Sequence, residues 1–94
     1  MAVAMVAEIR GMTKAHYDQA IAQIQDQLRQ APGFMGHAAG PMEGGYRVME
    51  LWNSREECER FMQQTIMPMA QQVGLPPFQP QFLPIDNLLL PPQP

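Results

Sequence analysis

Few side chains in this sequence can do chemistry, and the spacing of those few suggests what they could do. The chain has two histidines, His16 and His37, one cysteine, Cys58, and one tryptophan, Trp52. Glu50 lies two residues before the tryptophan, and Glu43-Gly44-Gly45 separates both from His37. A Gly-Gly pair between two runs of strand-forming residues signals a β-hairpin. With the turn centred on Glu43-Gly44, strand pairing sets His37 opposite Glu50 and Met35 opposite Trp52, so that these four share one sheet face. A slip of one residue would scatter them. A carboxylate beside an imidazole in apolar surroundings fixes the ring tautomer and raises its basicity, which is what a general base near neutral pH requires. On this reading His37 is the base and Glu50 its orienter. The plainer alternative is a cross-strand polar pair stabilising by under about 1 kcal/mol, with Trp52 buried for its area alone.

Composition narrows the partners. The net charge of −3, with only six Lys and Arg, leaves no basic stripe to neutralise phosphates, which argues against nucleic acid or an anionic membrane surface. The run from Ala2 to Ala7 has no basic flank and is too short for a signal segment or a membrane span, so a cytoplasmic protein is expected. One cysteine cannot form an intrachain disulfide, and two histidines with no further clustered ligands make no recognisable metal set. Gly44-Gly45 lacks the spacing and following lysine of a phosphate cradle. No metal or nucleotide cofactor is therefore expected. Nine methionines in 94 residues suit an adaptable apolar lining as well as ordinary core filling. Cys58, on the apolar face of the second helix, reads as a small buried hydrophobe, Arg47 as a rim ion pair and Asp86 as a solvated edge charge.

These residues need elements to hold them. Ala2 to Arg10 is an apolar run that reads as a strand covered on both faces, stopped at Gly11. Thr13 offers an N-cap oxygen, and Tyr17, Ile21, Ile24 and Leu28 recur at helical spacing as far as about Ala31, before Pro32-Gly33. Phe34–Met42 and Tyr46–Asn53 form the hairpin. Ser54 with Glu57 is a capping box that opens a second helix whose apolar face carries Cys58, Phe61, Met62, Thr65 and Met69, with a kink or early end at Pro68 and a stop at Gly74. Eight of the ten prolines fall from Pro68 onward. Pro84 demotes the last apolar segment, Gln81–Leu90, to an edge or bulged strand, and residues 91–94 form a Pro-rich tail expected to fray.

The order strand, helix, hairpin, helix, strand is the split βαβ pattern. It predicts one α+β domain over residues 1–90, a ferredoxin-like βαββαβ fold with an antiparallel sheet and both helices on one face. The other face, to which alternation assigns Phe34, Met49 and Leu51, would be apolar and bare. Pairing with a second copy as a two-fold dimeric α/β barrel is the simplest cover.

Trp52-Asn53-Ser54, followed by Glu56, Phe61 and Pro68 after Ile66-Met67, resembles the antibiotic biosynthesis monooxygenase domain family over most of the chain. The resemblance implies a homodimeric barrel with a ligand cavity between sheet and helices in each subunit. It turns the Trp52 face toward that cavity, so that His37, Glu50 and Trp52 look into a space roofed by Tyr17 and Phe61. Trp52 would then offer a flat face to an aromatic ligand, and the Tyr17 hydroxyl would donate to a developing oxyanion. The sequence departs from the family's two better-known branches. Val48 and Cys58 stand where the anthrone-oxidising branch has Asn and Tyr, and Ile9 and Met62 stand where the haem-degrading branch has Asn and His. With Met35, Ile9 and Met62 would line the cavity. The likeness through Tyr17-Asp18, His37–Pro41 and Asn87–Leu89 is closer to uncharacterised members.

The functional expectation is a small cofactor-independent enzyme of oxygenase, cyclase or isomerase type, acting on an aromatic or polyketide-like molecule. Two alternatives belong to other classes. One is a binder of haem or another flat apolar ligand, with His37 or His16 on the iron. The other is a structural or regulatory dimer module, whose cavity would be collapsed and dry.

Overall fold

The computed structural model describes residues 1–92, and of the expected tail Gln93 and Pro94 lie outside the described residues. The chain folds as β1 (Val3–Arg10), α1 (Lys14–Gln30), β2 (Phe34–Met42), β3 (Gly45–Trp52), α2 (Arg55–Phe61), a π-helical turn (Met62–Ile66), α3 (Met67–Val73) and β4 (Gln81–Pro84). The four strands form one sheet in the order β2-β3-β1-β4, and every neighbouring pair is antiparallel. This is the ferredoxin-like βαββαβ arrangement. None of the helices among the described residues is long and apolar enough to cross a membrane.

Alternation decides which side of the sheet is core. On β1, Val3, Met5, Ala7 and Ile9 are buried, whereas Glu8 and Arg10 are exposed. The expectation of cover on both faces of β1 therefore fails within a single chain, because the helices cap only one. On β3 the inward set is Tyr46, Val48, Glu50 and Trp52. Ala20, Ile24 and Leu28 of α1, Cys58 and Phe61 of α2, and Met69 of α3 close the core from above. The outer face is left with Met49 and Leu83 about half exposed, at 49% and 50%.

Local signals explain the joints. Thr13 caps α1 by accepting from the His16 N–H at 3.1 Å, and the His16 ring returns the bond by accepting from the Thr13 N–H at 3.4 Å. Met42 pairs with Gly45, so the hairpin turn is Glu43-Gly44, with Gly44 at φ +77. Ser54 accepts from the Glu57 N–H at 3.2 Å, as its capping spacing predicts. At Pro68 the helix neither ends nor simply kinks. The Met67 N–H reaches back to the Met62 carbonyl, a five-residue step, and the wide turn delivers Pro68 to the first turn of α3, where its missing N–H costs little.

Two expectations about the sheet are corrected. The edge strand β4 is four residues long, not ten, since it runs antiparallel to β1 from Val6 back to Val3 and there its partner ends. A bulge between Phe34 and Gly36 pairs Phe34, not Met35, with Trp52. Phe34 therefore packs on the inner face, its ring 5.5 Å from that of Trp52 in an edge contact, and is not part of the outer apolar face.

Candidate active site

Beyond the bulge the hairpin register holds, and His37 stands opposite Glu50. Their side chains meet, with His37 Nδ1 and Glu50 Oε2 2.7 Å apart. Alternation along β3 puts Trp52 on the same side as Glu50, and its indole N–H donates to Glu50 Oε1 at 2.9 Å. From α1 above, the Tyr17 hydroxyl lies 2.7 Å from His37 Nε2. Four side chains from three elements thus form one chain of bonds, Trp52 to Glu50 to His37 to Tyr17.

The direction of each bond follows from what each group can give. An ionised carboxylate only accepts, so Glu50 takes the Trp52 N–H on one oxygen and the His37 Nδ1–H on the other. That leaves the Nε2 lone pair to accept the Tyr17 O–H. Burial pushes the Tyr17 phenol above its ordinary value, and nearby Tyr46 and Glu50 push the same way, so Tyr17 remains a proton donor. The Tyr46 ring stacks on the Tyr17 ring with centroids 5.0 Å apart. Glu50 is only 7% exposed, and among the described residues no buried side-chain N or O lacks a partner.

Tyr17, His37 and Glu50 border a partly open cavity of about 70 Å³ whose remaining walls are apolar. Four of the nine methionines, Met5, Met12, Met62 and Met69, line it. Of the residues expected at the site, the fold gathers Tyr17, His37, Glu50, Ile9 and Met62 on this cavity. It does not gather the others. Trp52 is fully buried, with Phe34 at its edge and the Phe61 ring 5.8 Å away, so no ligand can stack on it; its place is behind Glu50, whose carboxylate it holds. Phe61 packs in the core against it. Met35 is the extra residue of the bulge and lies off the cavity wall.

The structure adds residues that motif reading passed over. Tyr46 was legible, because it shares the β3 alternation with Glu50 and Trp52. Tyr46 supports the site by stacking on Tyr17, whereas Leu75 and Phe78, from the proline-rich strap between α3 and β4, reach the cavity itself, and no periodicity marks such a segment.

Cys58 is fully buried, and burial, with Glu50 and Glu59 nearby, pushes its thiol up to about 12. Between pH 9 and 12 the unfolded chain loses this proton and the folded chain keeps it, so stability is expected to fall as pH rises through that window. Urea midpoints measured across it should decline in the native chain and decline less in Cys58→Ala. In the folded protein at pH 8 a thiol reagent should label Cys58 only after denaturant is added.

No protein-family model matches the chain, and no curated protein matches it in sequence. Solved structures do match its fold. It is similar to SnoaB, a cofactor-independent oxygenase from Streptomyces nogalater, at 17% identity over 94% of this chain and 96% of that one, with a TM-score of 0.72. It is similar to a protein of Deinococcus radiodurans provisionally described as an antibiotic biosynthesis monooxygenase, at 10% identity over 99% and 100% of the two chains, with a TM-score of 0.65. A dimeric ferredoxin-like protein of unknown function from a Jannaschia species matches at 11% identity over 90% and 100%, with a TM-score of 0.64. The chain thus has the ferredoxin-like βαββαβ fold found in antibiotic biosynthesis monooxygenase-like proteins, a likeness of architecture that agrees with the resemblance carried by Trp52-Asn53-Ser54.

Proposed function

We propose that the chain is a homodimeric acid–base enzyme that removes a proton from an apolar, aromatic or polyketide-like small molecule, with no cofactor of its own. The observation that carries this reading is the bond chain Trp52–Glu50–His37–Tyr17, whose last three members border an apolar cavity. A substrate carbonyl oxygen takes the Tyr17 O–H away from His37, which frees Nε2. His37 Nε2 accepts the proton of an adjacent acidic C–H, and the Glu50 carboxylate stabilises the imidazolium that forms. Tyr17, kept protonated by burial, donates to the enolate oxygen as charge develops on it. Cyclisation, isomerisation and, with dioxygen as the oxidant, oxygenation all begin at this enolate; the similarity to a cofactor-independent oxygenase supports the last.

A simple probe tests the proton transfer. 2-Tetralone carries an acidic CH₂ between a ring and a carbonyl, and the protein should accelerate its hydrogen–deuterium exchange in D₂O, read by proton NMR. Exchange at the buffer rate, with the ketone shown to be bound, would remove the catalytic reading.

One observation favours a second reading. A void of about 70 Å³ is half the roughly 150 Å³ that encloses benzene, which suits a packed dimer module with no substrate. Failure of any small aromatic to bind would support that module. Haem gains nothing from the geometry, since both ring nitrogens of His37 are engaged and the His16 ring is part of the Thr13 cap.

The dimer is supported by the outer sheet face and by the dimeric Jannaschia neighbour. Ala4 and Val6 of β1, Met49 and Leu51 of β3, and Leu83 of β4 present apolar surface there, with the Arg47–Glu8 ion pair on the same face. The double substitution Met49→Glu with Leu51→Glu brings like charges together across a two-fold axis, which costs several kcal/mol of association. Size-exclusion chromatography with light scattering should show a dimer in the native chain and a monomer in the variant.

A further inference from the structure

The cavity beside His37 is too small for the substrate class just proposed, and its wall shows where it opens. On the far side of that wall lies an open groove of about 500 Å³, formed by α3, the π-helical turn and the strap. Four residues border both spaces: Met62, Ile66, Leu75 and Phe78. Met62 and Ile66 begin and end the π-helical turn, whose irregular bonding is imposed by Pro68. Leu75 and Phe78 belong to the strap. Gly74, at φ +77, ends α3, and the Leu75 N–H bonds back to the Ala70 carbonyl at 3.0 Å. Of the next five residues, Pro76, Pro77 and Pro80 have no N–H to give, so the strap is held mostly by packing. Phe78 is half-buried, the only aromatic ring in the strap, and the bulkiest of the four dividing side chains.

Resting on the acid–base reading of the cavity, we propose that Phe78 is the specificity-determining residue of this site. Its ring fills the space that a second ring of the substrate must occupy. When the strap shifts, the cavity and the groove become one continuous site. The substrate class then follows from the shape and chemistry of the joined space. It is a flat apolar molecule of two or more fused rings, with one oxygen at the Tyr17–His37 end and the remaining rings lying along Met62, Ile66 and the groove. A single-ring phenol would leave the groove empty and gain little from it.

The test is the affinity of 2-tetralone, a two-ring ketone, for the native protein and for Phe78→Ala, Phe78→Leu and Phe78→Trp, measured by NMR titration of the methionine methyl groups. Affinity should fall in the order Ala, Leu, Phe, Trp, with Phe78→Ala about tenfold or more tighter than the native chain. The Met62 methyl should shift on binding and the Met49 methyl on the outer face should not. A urea midpoint for each variant shows whether it is folded, and Leu and Trp keep the series readable where Ala is too destabilised. Affinity that ignores side-chain volume, or shifts that spare Met62, would overturn the gate. The two proposals can fail separately: binding in the predicted order with exchange at the buffer rate would sink the acid–base reading alone, whereas accelerated exchange with affinities blind to residue 78 would sink the gate alone.

Discussion

Replacing His37 with Ala is expected to reduce protein-catalysed exchange of 2-tetralone by about 10²- to 10⁴-fold, the range typical of losing a positioned general base. The fold should tolerate the change. His37 lies on a strand at the cavity wall, its side chain 16% exposed, so water entering the space can meet the Tyr17 hydroxyl, while the loss of the partner of Glu50 Oε2 is expected to cost about 1–3 kcal/mol, which a urea midpoint on the same variant reads. The affinity for the ketone should change little, because the apolar walls supply most of the contact. Exchange rate and dissociation constant, measured on the same sample, therefore separate the base from a residue that only packs. Undiminished exchange in His37→Ala would remove His37 from the chemistry and leave the pair with Glu50 as a structural cross-strand contact.

Trp52→Ala is expected to have the largest effect on stability of any single change in the chain. The ring is fully buried between Phe34 and Phe61, and truncating a buried aromatic costs about 3–5 kcal/mol. Each kcal/mol lowers the melting temperature by about 4–8 °C in a domain of this size, so a fall well above 10 °C is expected. A domain holding only about 5–15 kcal/mol can unfold under that loss, which makes Trp52→Phe the more informative variant. Phe keeps most of the packing but takes the indole N–H from Glu50 Oε1, leaving a buried carboxylate oxygen unpaired at a cost of about 1–3 kcal/mol. The exchange rate should fall with it, because Glu50 is no longer held toward His37. If Trp52 were instead a stacking platform, Trp52→Phe would weaken ligand binding and leave the melting temperature nearly unchanged.

Much of this arrangement was legible in the residues because it depends on two simple periods. The strand period of two put Glu50 and Trp52 on one face, and the Glu43-Gly44 turn set the register that faces His37 to Glu50. The helical period placed Tyr17 on the inward side of α1. What could not be read came from breaks in those periods. The bulge after Phe34 inserts one residue, so Phe34 takes the place opposite Trp52 that simple counting gives to Met35. That single step moved Phe34 from the outer face to the core, closed off the indole ring, and changed Trp52 from a ligand surface to a support for Glu50. Pro68 announced a disturbance, but whether it produces a kink, a stop or a π-helical turn depends on how α3 packs against α1. The strap carries no periodicity at all, and its two cavity residues, Leu75 and Phe78, are placed by tertiary packing alone.

The acid–base reading requires one direction of the bond chain, with the proton of the neutral His37 ring on Nδ1, 2.7 Å from Glu50, and Nε2, 2.7 Å from the Tyr17 hydroxyl, as the acceptor. Nitrogen-15 NMR of histidine-labelled protein, followed with pH until the ring is neutral, reads this directly. In the neutral ring of the native chain Nδ1 is expected to carry the proton and Nε2 to be bare, with the Nε2 signal moving in Tyr17→Phe as its donor is lost. A His37 proton found on Nε2, pointing at the Tyr17 oxygen, would contradict it, because that nitrogen could then take no proton from a substrate.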